Sequence, residues 1–296
     1  EGNGGEDCRF QTNEKTRTYR LLCRNRRWTL QMKNPFDCFD KIYCINLDSR
    51  PDRWELAQKE FKKIGILDRV ERFSACVGTE IVNGSSGPRA RHLGVDGDQI
   101  VDGELNKHNQ TKWKQLDGIT MSMLTCIKNA KESGLDNVLI FEDDVEFVQY
   151  DGSQFMATLN TLSNVNWEVF YLGTSFDIRQ FRTERQIKNS VKFVSPELMK
   201  LNARTFCIHA HAINKSCFDK LIYNEDIIVD WDTHEVVDHT SRVCTIDGLY
   251  AHRLEERYCA YPLIAVQRIG ESDINRGLEI DRKNRMVEQF EKLGNV

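Results

Sequence analysis

The sequence predicts an α/β fold with a mostly parallel central sheet, and three observations support this prediction. The 296 residues are 40% hydrophobic and 29% charged, which supplies enough apolar material for a packed core and argues against disorder. The short apolar runs are nearly continuous rather than alternating, as expected for strands that are covered on both faces. These runs alternate along the chain with segments whose apolar residues recur at helical spacing, which is typical of α/β proteins.

The first predicted unit is a strand followed by a helix. The β-branched and aromatic run over residues 41–47 predicts a buried strand. A polar turn follows, in which Ser49 or Asp52 is expected to cap the helix. The helix is predicted to end at Gly65, because glycine readily adopts the conformation of a C-terminal cap. The apolar face of this helix consists of Trp54, Leu56, Ala57, Phe61 and Ile64.

The same patterns predict the elements that follow. Residues 78–114 are rich in Gly, Asn, Asp and His, and they predict a long loop of a kind that is often functional. Further strands are predicted over residues 70–77, 137–141, 167–172, 191–194 and 204–212. Further helices are predicted over residues 120–132, 155–162, 215–223 and 283–292, and the segment between residues 223 and 281 is predicted as strand and loop.

The sequence predicts one catalytic domain over residues 36–296, preceded by a basic extension over residues 1–35. Between Glu14 and Asp37 there are seven Lys and Arg residues and no acid. This pattern favours either a solvated amphipathic extension that docks through its apolar residues, or a peripheral contact with an anionic surface through residues 15–33.

The overall composition argues against several classes of function. The formal net charge is −4, with 41 Lys+Arg against 45 Asp+Glu, so nucleic acid is not an expected partner. No apolar run approaches the roughly 18 residues that span a bilayer. The ten cysteines include no C-x-x-C pair, and their disulfide state and the oligomeric state stay open. The localisation stays open, with a cytoplasmic or membrane-peripheral location expected first. Since the chain begins with Glu1 rather than Met, a leader could have been removed, and the secretory-pathway lumen is then the alternative.

Three consecutive acids, Glu142, Asp143 and Asp144, follow the predicted strand over residues 137–141. In an open α/β sheet, ligands bind at the carboxyl ends of the strands. Adjacent carboxylates repel one another unless a cation lies among them, and an all-oxygen ligand set favours Mg²⁺ or Mn²⁺ shared with a phosphate. The alternative is that these acids only begin a surface loop or cap the next helix.

The end of the first strand adds groups that suit a phosphate ligand. Arg50 and Arg53 are candidate diphosphate contacts, because the guanidinium fork matches phosphate oxygens and a helix N-terminus lies nearby. Asn46 and Asp48 are expected either to contact a nucleoside or to stabilise the turn. The sequence has no P-loop and no G-x-G-x-x-G after a strand, which argues against ATPase and NAD-dependent activities.

These segments resemble glycosyltransferase family 25, which includes lipooligosaccharide and procollagen galactosyltransferases. Residues 45–53 (INLDSRPDR), with Leu47 in the motif, resemble the family's opening I-N-L-x-x-x-x-D-R. Residues 139–144 (LIFEDD) resemble its L-x-x-E-D-D. Further matches follow in the family's order at residues 167–173, 210–221, 229–230 and 262–274.

The resemblance implies an A-type glycosyltransferase (Rossmann-like) fold, a UDP-sugar donor, dependence on Mn²⁺ (or Mg²⁺) and inversion at the anomeric carbon. The expected reaction moves a hexose, galactose first and glucose or another sugar as alternatives, to a hydroxyl of a glycan, glycoprotein or lipid-linked acceptor. Residues 118–126 depart from the family's G-E-[IL]-G-C-x-x-S-H pattern, although Thr125 keeps a hydroxyl where Ser is usual.

The resemblance also implies roles for single residues. Asp144 is the first expected metal ligand, Glu142 or Asp143 the second, and His252 a further possibility. Asp230 is favoured as the base that activates the acceptor hydroxyl, with Asp232 as the alternative. The remaining donor-site candidates are Asn46, Leu47, Asp48, Arg50, Arg53, Thr125, Gln267 and Asp273.

Two other functions use the same residues. A metal-dependent phosphohydrolase would need similar acids, but no D-x-D-x-[TV] nucleophile motif is visible. A catalytically inactive relative that binds carbohydrate or nucleotide is the second alternative. His209 and His211 would lie on one side of a strand, where a buried structural pair is favoured over a metal site.

Overall fold

The computed structural model describes residues 9–13, 18–22, 30–32, 34–78, 100–101, 104–105, 107–148, 150–176, 183–240, 243, 245–270, 286, 288–290 and 293. Its strands are β1 (Arg9–Asn13), β2 (Thr18–Leu22), β3 (Leu30–Met32), β4 (Lys41–Asn46), β5 (Val70–Ser74), β6 (Ile100–Val101), β7 (Glu104–Leu105), β8 (Asn137–Glu142), β9 (Val145–Phe147), β10 (Val169–Phe176), β11 (Val191–Ser195), β12 (Leu198–Leu201), β13 (Thr205–Asn214), β14 (Ile227–Asp230), β15 (Glu235–His239), β16 (Arg257–Ala260) and β17 (Ala265–Gln267). Its α-helices are α1 (Pro51–Lys63), α2 (Lys107–Glu132), α3 (Gly152–Ser163), α4 (Glu184–Ser190), α5 (Phe218–Ile222) and α6 (Ile246–Arg253).

The centre of the fold is an eight-stranded sheet in the order β11-β12-β16-β10-β13-β8-β4-β5. Strand β4 pairs in parallel with both β5 and β8, and β10 pairs in parallel with β16. Strands β12 and β13 run against the other six, so the sheet is mostly parallel in strand direction, as the sequence predicts. The prediction of an α/β fold is confirmed.

Both faces of the central strands are buried, which explains their nearly continuous apolar sequence. On one face, Ile45 and Ile140 pack in a cluster with helix α2. On the other face, Cys44 and Phe141 pack in a second cluster with helices α1 and α3. Of the described cysteines, Cys38, Cys44, Cys76, Cys126, Cys217 and Cys259 are free thiols.

Helix α2 is longer than predicted. It begins at Lys107, whereas the sequence predicts a loop over residues 78–114, so that part of the prediction is wrong. The first half of the helix is polar and contains Gly118, so it lacks the apolar periodicity on which the prediction depended. Gly118 serves packing here, because a Cβ at this position would lie 2.5 Å from the Cys76 carbonyl oxygen. Gly78 makes the reciprocal approach, with a Cβ there lying 1.9 Å from the Lys114 carbonyl oxygen.

Helix α6 lies in the segment that the sequence predicts as strand and loop, so that prediction is also wrong. The Thr245 side chain caps this helix by accepting a hydrogen bond from the Gly248 amide. Its apolar periodicity is short, since the helix spans only eight residues. At the C-terminus, the described residues 286, 288–290 and 293 are helical, in agreement with the predicted helix.

The described segments also form three small antiparallel sheets: β1-β2-β3 within residues 9–32, the pair β9-β17, and the hairpin β14-β15. The short pair β6-β7 precedes helix α2. None of the described helices has the length and hydropathy needed to cross a membrane.

Candidate active site

The residues Glu142, Asp143 and Asp144, here called the acid turn, lie at the carboxyl end of β8. Strand β8 ends at Glu142, and the other two acids form the turn into β9. Because β4 runs parallel to β8 beside it, the end of β4 reaches the same edge of the sheet. Residues 45–53 and 139–144, which the sequence analysis singles out separately, therefore meet at one place.

Asp143 is the most buried member of the acid turn, with only 7% of its surface exposed. Its Oδ2 accepts a 2.7 Å hydrogen bond from Asn46 Nδ2, and its Oδ1 lies 3.1 Å from Arg53 Nη1. Burial raises the pKa of Asp143 to about 6, although the charge of Arg53 lowers it; the charge of Asp144 raises it further. Arg53 and Asn46 thus stabilise a carboxylate that burial alone would protonate.

Asn46 links three parts of the site. Its Nδ2 donates to Asp143 and also to the Arg50 carbonyl oxygen at 3.0 Å, while its Oδ1 accepts from Arg72 Nε at 2.8 Å. Only 1% of Asn46 is exposed, so its role in this structure is to hold the strand end, the first turn of α1 and β5 together. An amide is suited to this position because it donates and accepts at once.

Asp48 is exposed and is held by two residues of β5 that the sequence analysis missed. Arg72 Nη2 and the Ser74 hydroxyl each donate to this carboxylate at 2.7 Å. The hydrogen bond from Ser74, followed by that from Arg72, lowers the pKa of Asp48. The alternation of polar and apolar residues in β5 is the only sequence signal that could have pointed to these two side chains.

Only one of the two carboxylate oxygens of Asp144 is hydrogen-bonded within the described residues. Its Oδ2 accepts a 2.7 Å hydrogen bond from Gln267 Nε2, and its backbone oxygen accepts from the Arg268 amide at 2.7 Å. Its other carboxylate oxygen, Oδ1, is buried and has no hydrogen-bond partner among the described residues. The pairing of β9 with β17 brings Gln267 to this position, directly opposite Val145.

Arg50 and Leu47 lie in the turn between β4 and α1. Arg50 forms a two-pronged ion pair with Asp52, with both N–O distances at 3.0 Å. The N-cap of α1 is Arg50, which makes no side-chain cap, so the prediction that Ser49 or Asp52 caps this helix is wrong. Leu47 accepts a backbone hydrogen bond from Arg50.

Asp230 and Asp232 lie on the β14-β15 hairpin, away from this network. Asp230 Oδ1 accepts hydrogen bonds from the amides of Asp232 at 2.9 Å and Thr233 at 3.1 Å. These backbone bonds lower the pKa of Asp230. Within the described part of the chain, no hydrogen bond or ion pair joins either acid to the acid turn, and their catalytic role stays a prediction.

The other predicted site residues are dispersed. Thr125 lies inside α2, where its hydroxyl donates to the Met121 carbonyl oxygen at 2.8 Å. His252 lies on α6, with its Nε2 3.9 Å from Asp226 Oδ2. Asp273 is outside the described residues. Their assigned roles stay predictions.

The buried histidines His209 and His211 make hydrogen bonds of a structural kind. His211 bonds to the Ile208 carbonyl oxygen and the Tyr250 hydroxyl, and His209 bonds to the Cys207 carbonyl oxygen.

The fit of this site to a divalent cation depends on Asp144. No set of three His, Cys, Asp or Glu side chains in the described ranges is arranged to hold a metal ion. However, Mg²⁺ and similar cations are commonly held by one or two carboxylates together with substrate phosphates. The buried Oδ1 of Asp144 fits such a ligand, whereas both oxygens of Asp143 are already bonded to Asn46 and Arg53.

Comparison with known proteins places residues 39–234 within the family model described as glycosyltransferase family 25 (LPS biosynthesis protein). A glycosyltransferase 25 family member from Drosophila pseudoobscura pseudoobscura is 29% identical over 136 residues, which are 45% of this chain and 20% of that protein. The human inactive glycosyltransferase 25 family member 3 is 30% identical over 142 residues, or 46% of this chain and 22% of that protein. The chain thus matches about a fifth of the length of these relatives. Among solved structures, the galactosyltransferase LgtC with donor and acceptor sugar analogues aligns over 86% of this chain and 96% of its own, at 13% identity and a TM-score of 0.37.

Proposed function

Because this chain belongs to glycosyltransferase family 25, we propose that it is a hexosyltransferase that uses a UDP-sugar, with UDP-galactose as the first expectation. The acceptor is a hydroxyl of a glycan, glycoprotein or lipid-linked sugar, and transfer inverts the anomeric carbon. The observation that carries the proposal is the acid turn, where Asp144 keeps a buried oxygen without a partner beside the β4 end. The family membership and the α/β sheet agree with the expected A-type glycosyltransferase fold.

In this proposal the acid turn would hold Mn²⁺ or Mg²⁺, which would supply positive charge for the donor's diphosphate. Asp144 would be the principal ligand and Glu142 the second, while Asp143 orients Arg53 and Asn46. A bound cation would neutralise the negative charge that grows on the departing diphosphate. Gln267 fixes the rotamer of Asp144 through its 2.7 Å hydrogen bond.

The chain's own cations complement this role. Arg53 is held at the acid turn by Asp143, and Arg50 lies at the start of α1 in its ion pair with Asp52. Both guanidinium groups lie near the N-terminus of a helix, where an anion is stabilised. Asp230, which is partly exposed and has a lowered pKa, is the first candidate for the base, because it is ionised at neutral pH.

The direct test is release of UDP from a panel of UDP-sugars, with and without Mn²⁺. We expect turnover that requires the cation and falls at least about 100-fold in Asp144→Asn, because charge stabilisation worth several kcal/mol is lost. Asp219→Asn is the matched control, since Asp219 is an exposed acid paired with Lys131. Full turnover by Asp144→Asn would overturn the metal assignment.

An inactive relative that binds nucleotide or carbohydrate is the second candidate function, and one observation favours it. Residues 118–126 depart from the family pattern, and in the structure they form the middle of α2, where the Thr125 hydroxyl is used within the helix. Thermal stabilisation by UDP plus Mn²⁺ without turnover on any donor would support this function. Stabilisation and hydrolysis with ATP plus Mg²⁺ instead would indicate a phosphohydrolase.

A further inference from the structure

Arg257 is a buried arginine without a described counterion. It begins β16, only 7% of its surface is exposed, and its Nη1 donates to the Ala203 carbonyl oxygen at 3.0 Å. Its Nε is buried and has no hydrogen-bond partner among the described residues, and none of the described carboxylates forms an ion pair with it. A buried guanidinium that lacks a partner charge is costly, because desolvation is not offset by an ion pair.

Arg204, the residue after Ala203, is a second arginine with a buried Nε atom. Its Nε is also buried and makes no hydrogen bond within the described segments. Its guanidinium carbon lies 5.0 Å from the centre of the Phe206 ring, within the range of a cation–π interaction. The two arginines are therefore joined through the backbone of the short segment between β12 and β13.

The first turn of α6 forms the wall beside Arg204. A Cβ at Gly248 would lie 3.0 Å from Arg204 Nη2, so glycine leaves room for the guanidinium at this wall. Asp247 lies in this first turn, where its Oδ1 accepts hydrogen bonds from the Gly248 amide at 2.9 Å and from the Thr245 hydroxyl. It forms no ion pair with either arginine in the described part of the structure.

Tyr171 shows that these charges share one face of the sheet. Burial raises the pKa of Tyr171 to about 12; the charge of Arg257 lowers it and the charge of Asp247 raises it. The three described side chains named here, two guanidinium groups and one carboxylate, carry one excess positive charge between them. The N-terminal end of α6 adds the positive end of a helix dipole.

We propose that Arg257 and Arg204, together with the first turn of α6, bind an oxyanion, either a phosphate or the carboxylate of an acidic sugar. Guanidinium groups recognise both through paired N–H donors, and the unpaired Nε atoms supply such donors. This oxyanion site is separate from the acid turn, with which these arginines share no described hydrogen bond or ion pair.

The test measures the melting temperature and the Nε–H signal of Arg257 by NMR while inorganic phosphate is added at constant ionic strength, with glucuronate in a parallel titration. We expect a saturable rise in melting temperature and a saturable shift of the Nε–H signal. A response to phosphate alone indicates a phosphate ligand, and a response to glucuronate alone indicates an acidic sugar. No saturable response to either anion would overturn the proposal.

Arg257→Met makes the test independent of folding. A buried arginine without a counterion is replaced by an apolar side chain of similar length, so the variant should be as stable as the parent in anion-free buffer, or more so. It should also lose the anion response, as should Arg204→Gln. Arg185→Gln, at an exposed arginine on α4, is the control and should keep the full response.

An anion response that survives in Arg257→Met would contradict the proposed site. A large loss of stability of this variant in anion-free buffer would contradict it as well. UDP release is measured on the same variants, so that failure of the transferase proposal is recognised separately.

Discussion

Asn46 and Asp143 are 97 residues apart in the chain, yet a 2.7 Å hydrogen bond joins them across the ends of two parallel strands. In the described part of the chain, this bond is one of two that hold the Asp143 carboxylate against protein side chains. Asp143 is directed toward Asn46 and Arg53, and Asp144 is left with the oxygen that has no described partner.

Replacement of Asn46 by Asp should destabilise the protein at neutral pH and much less at pH 5. The variant places a second carboxylate beside Asp143, and two buried like charges at hydrogen-bond distance cannot both ionise cheaply. We expect a loss of about 1–3 kcal/mol in the free energy of unfolding at pH 7.5, measured by urea denaturation. Asn202→Asp makes the same chemical change at an exposed position and should be nearly neutral. Equal effects at both pH values would rule out charge repulsion as the cause.

Replacement of Gln267 by Ala should weaken binding of UDP plus Mn²⁺ without unfolding the protein. Gln267 orients Asp144, and loss of a group that orients a metal ligand typically costs 10- to 100-fold in affinity. Isothermal titration calorimetry measures the effect directly. Gln154→Ala, an exposed glutamine at the start of α3, is the matched control. An unchanged affinity would show that Asp144 does not need this hydrogen bond.

The buried His211 should make the protein sensitive to acid. Burial lowers its pKa to about 4, whereas an unfolded histidine titrates near 6.5. Below pH 6.5 the unfolded chain therefore binds a proton that the folded protein excludes, and stability falls until about pH 4. The contribution is on the order of 3 kcal/mol between these limits.

The measurement is urea unfolding at several pH values, with His211→Gln compared with the parent protein. The difference in unfolding free energy between the two should shrink as the pH falls from 6.5 to 4. His234→Asn is the control at an exposed histidine, because asparagine tolerates the positive φ of 57° found there. A constant difference across this pH range would contradict the assigned protonation state.

Replacement of Gly173 by Ala should disturb the acid turn from a distance. A Cβ at Gly173 would lie 1.8 Å from the Ala265 carbonyl oxygen, so β17 must move, and Gln267 lies two residues farther along that strand. We expect a loss of about 1–3 kcal/mol in unfolding free energy, together with weaker binding of UDP plus Mn²⁺. Gly270→Ala is the control, because no atom of the described residues lies within 4 Å of a Cβ there. Normal binding in Gly173→Ala would show that β17 adapts without moving Gln267.

Much of the sheet and part of the site could be predicted from the sequence. The apolar strands 41–47 and 137–141 carry their signal in consecutive residues, and the polar residues that end them necessarily reach one edge of a parallel sheet. The structure does bring Asn46, Arg53 and Asp143 together there. The proximity of Gln267 to Asp144 could be expected only from the family resemblance, since 123 residues separate them.

The features that sequence analysis missed have other physical origins. The first half of α2 is polar and contains a glycine, so its helical state depends on packing against residues 76–78 rather than on an apolar stripe. Arg72 and Ser74 contact the site from a neighbouring strand, and an alternating polar residue is usually directed to solvent. The buried state of Arg257 is also invisible in the sequence, because arginine is rarely enclosed without a partner.

The position of β16 determines when the central sheet can be completed during synthesis and how far the chain can be truncated. Strand β16 lies between β12 and β10, and the hairpin β11-β12 joins the rest of the sheet only through it. The central sheet therefore stays split into two unjoined pieces until residue 260 has left the ribosome. A fragment ending at residue 234, where the family match ends, would lack both this joining strand and Gln267, so we expect it to expose unpaired strand edges and to aggregate.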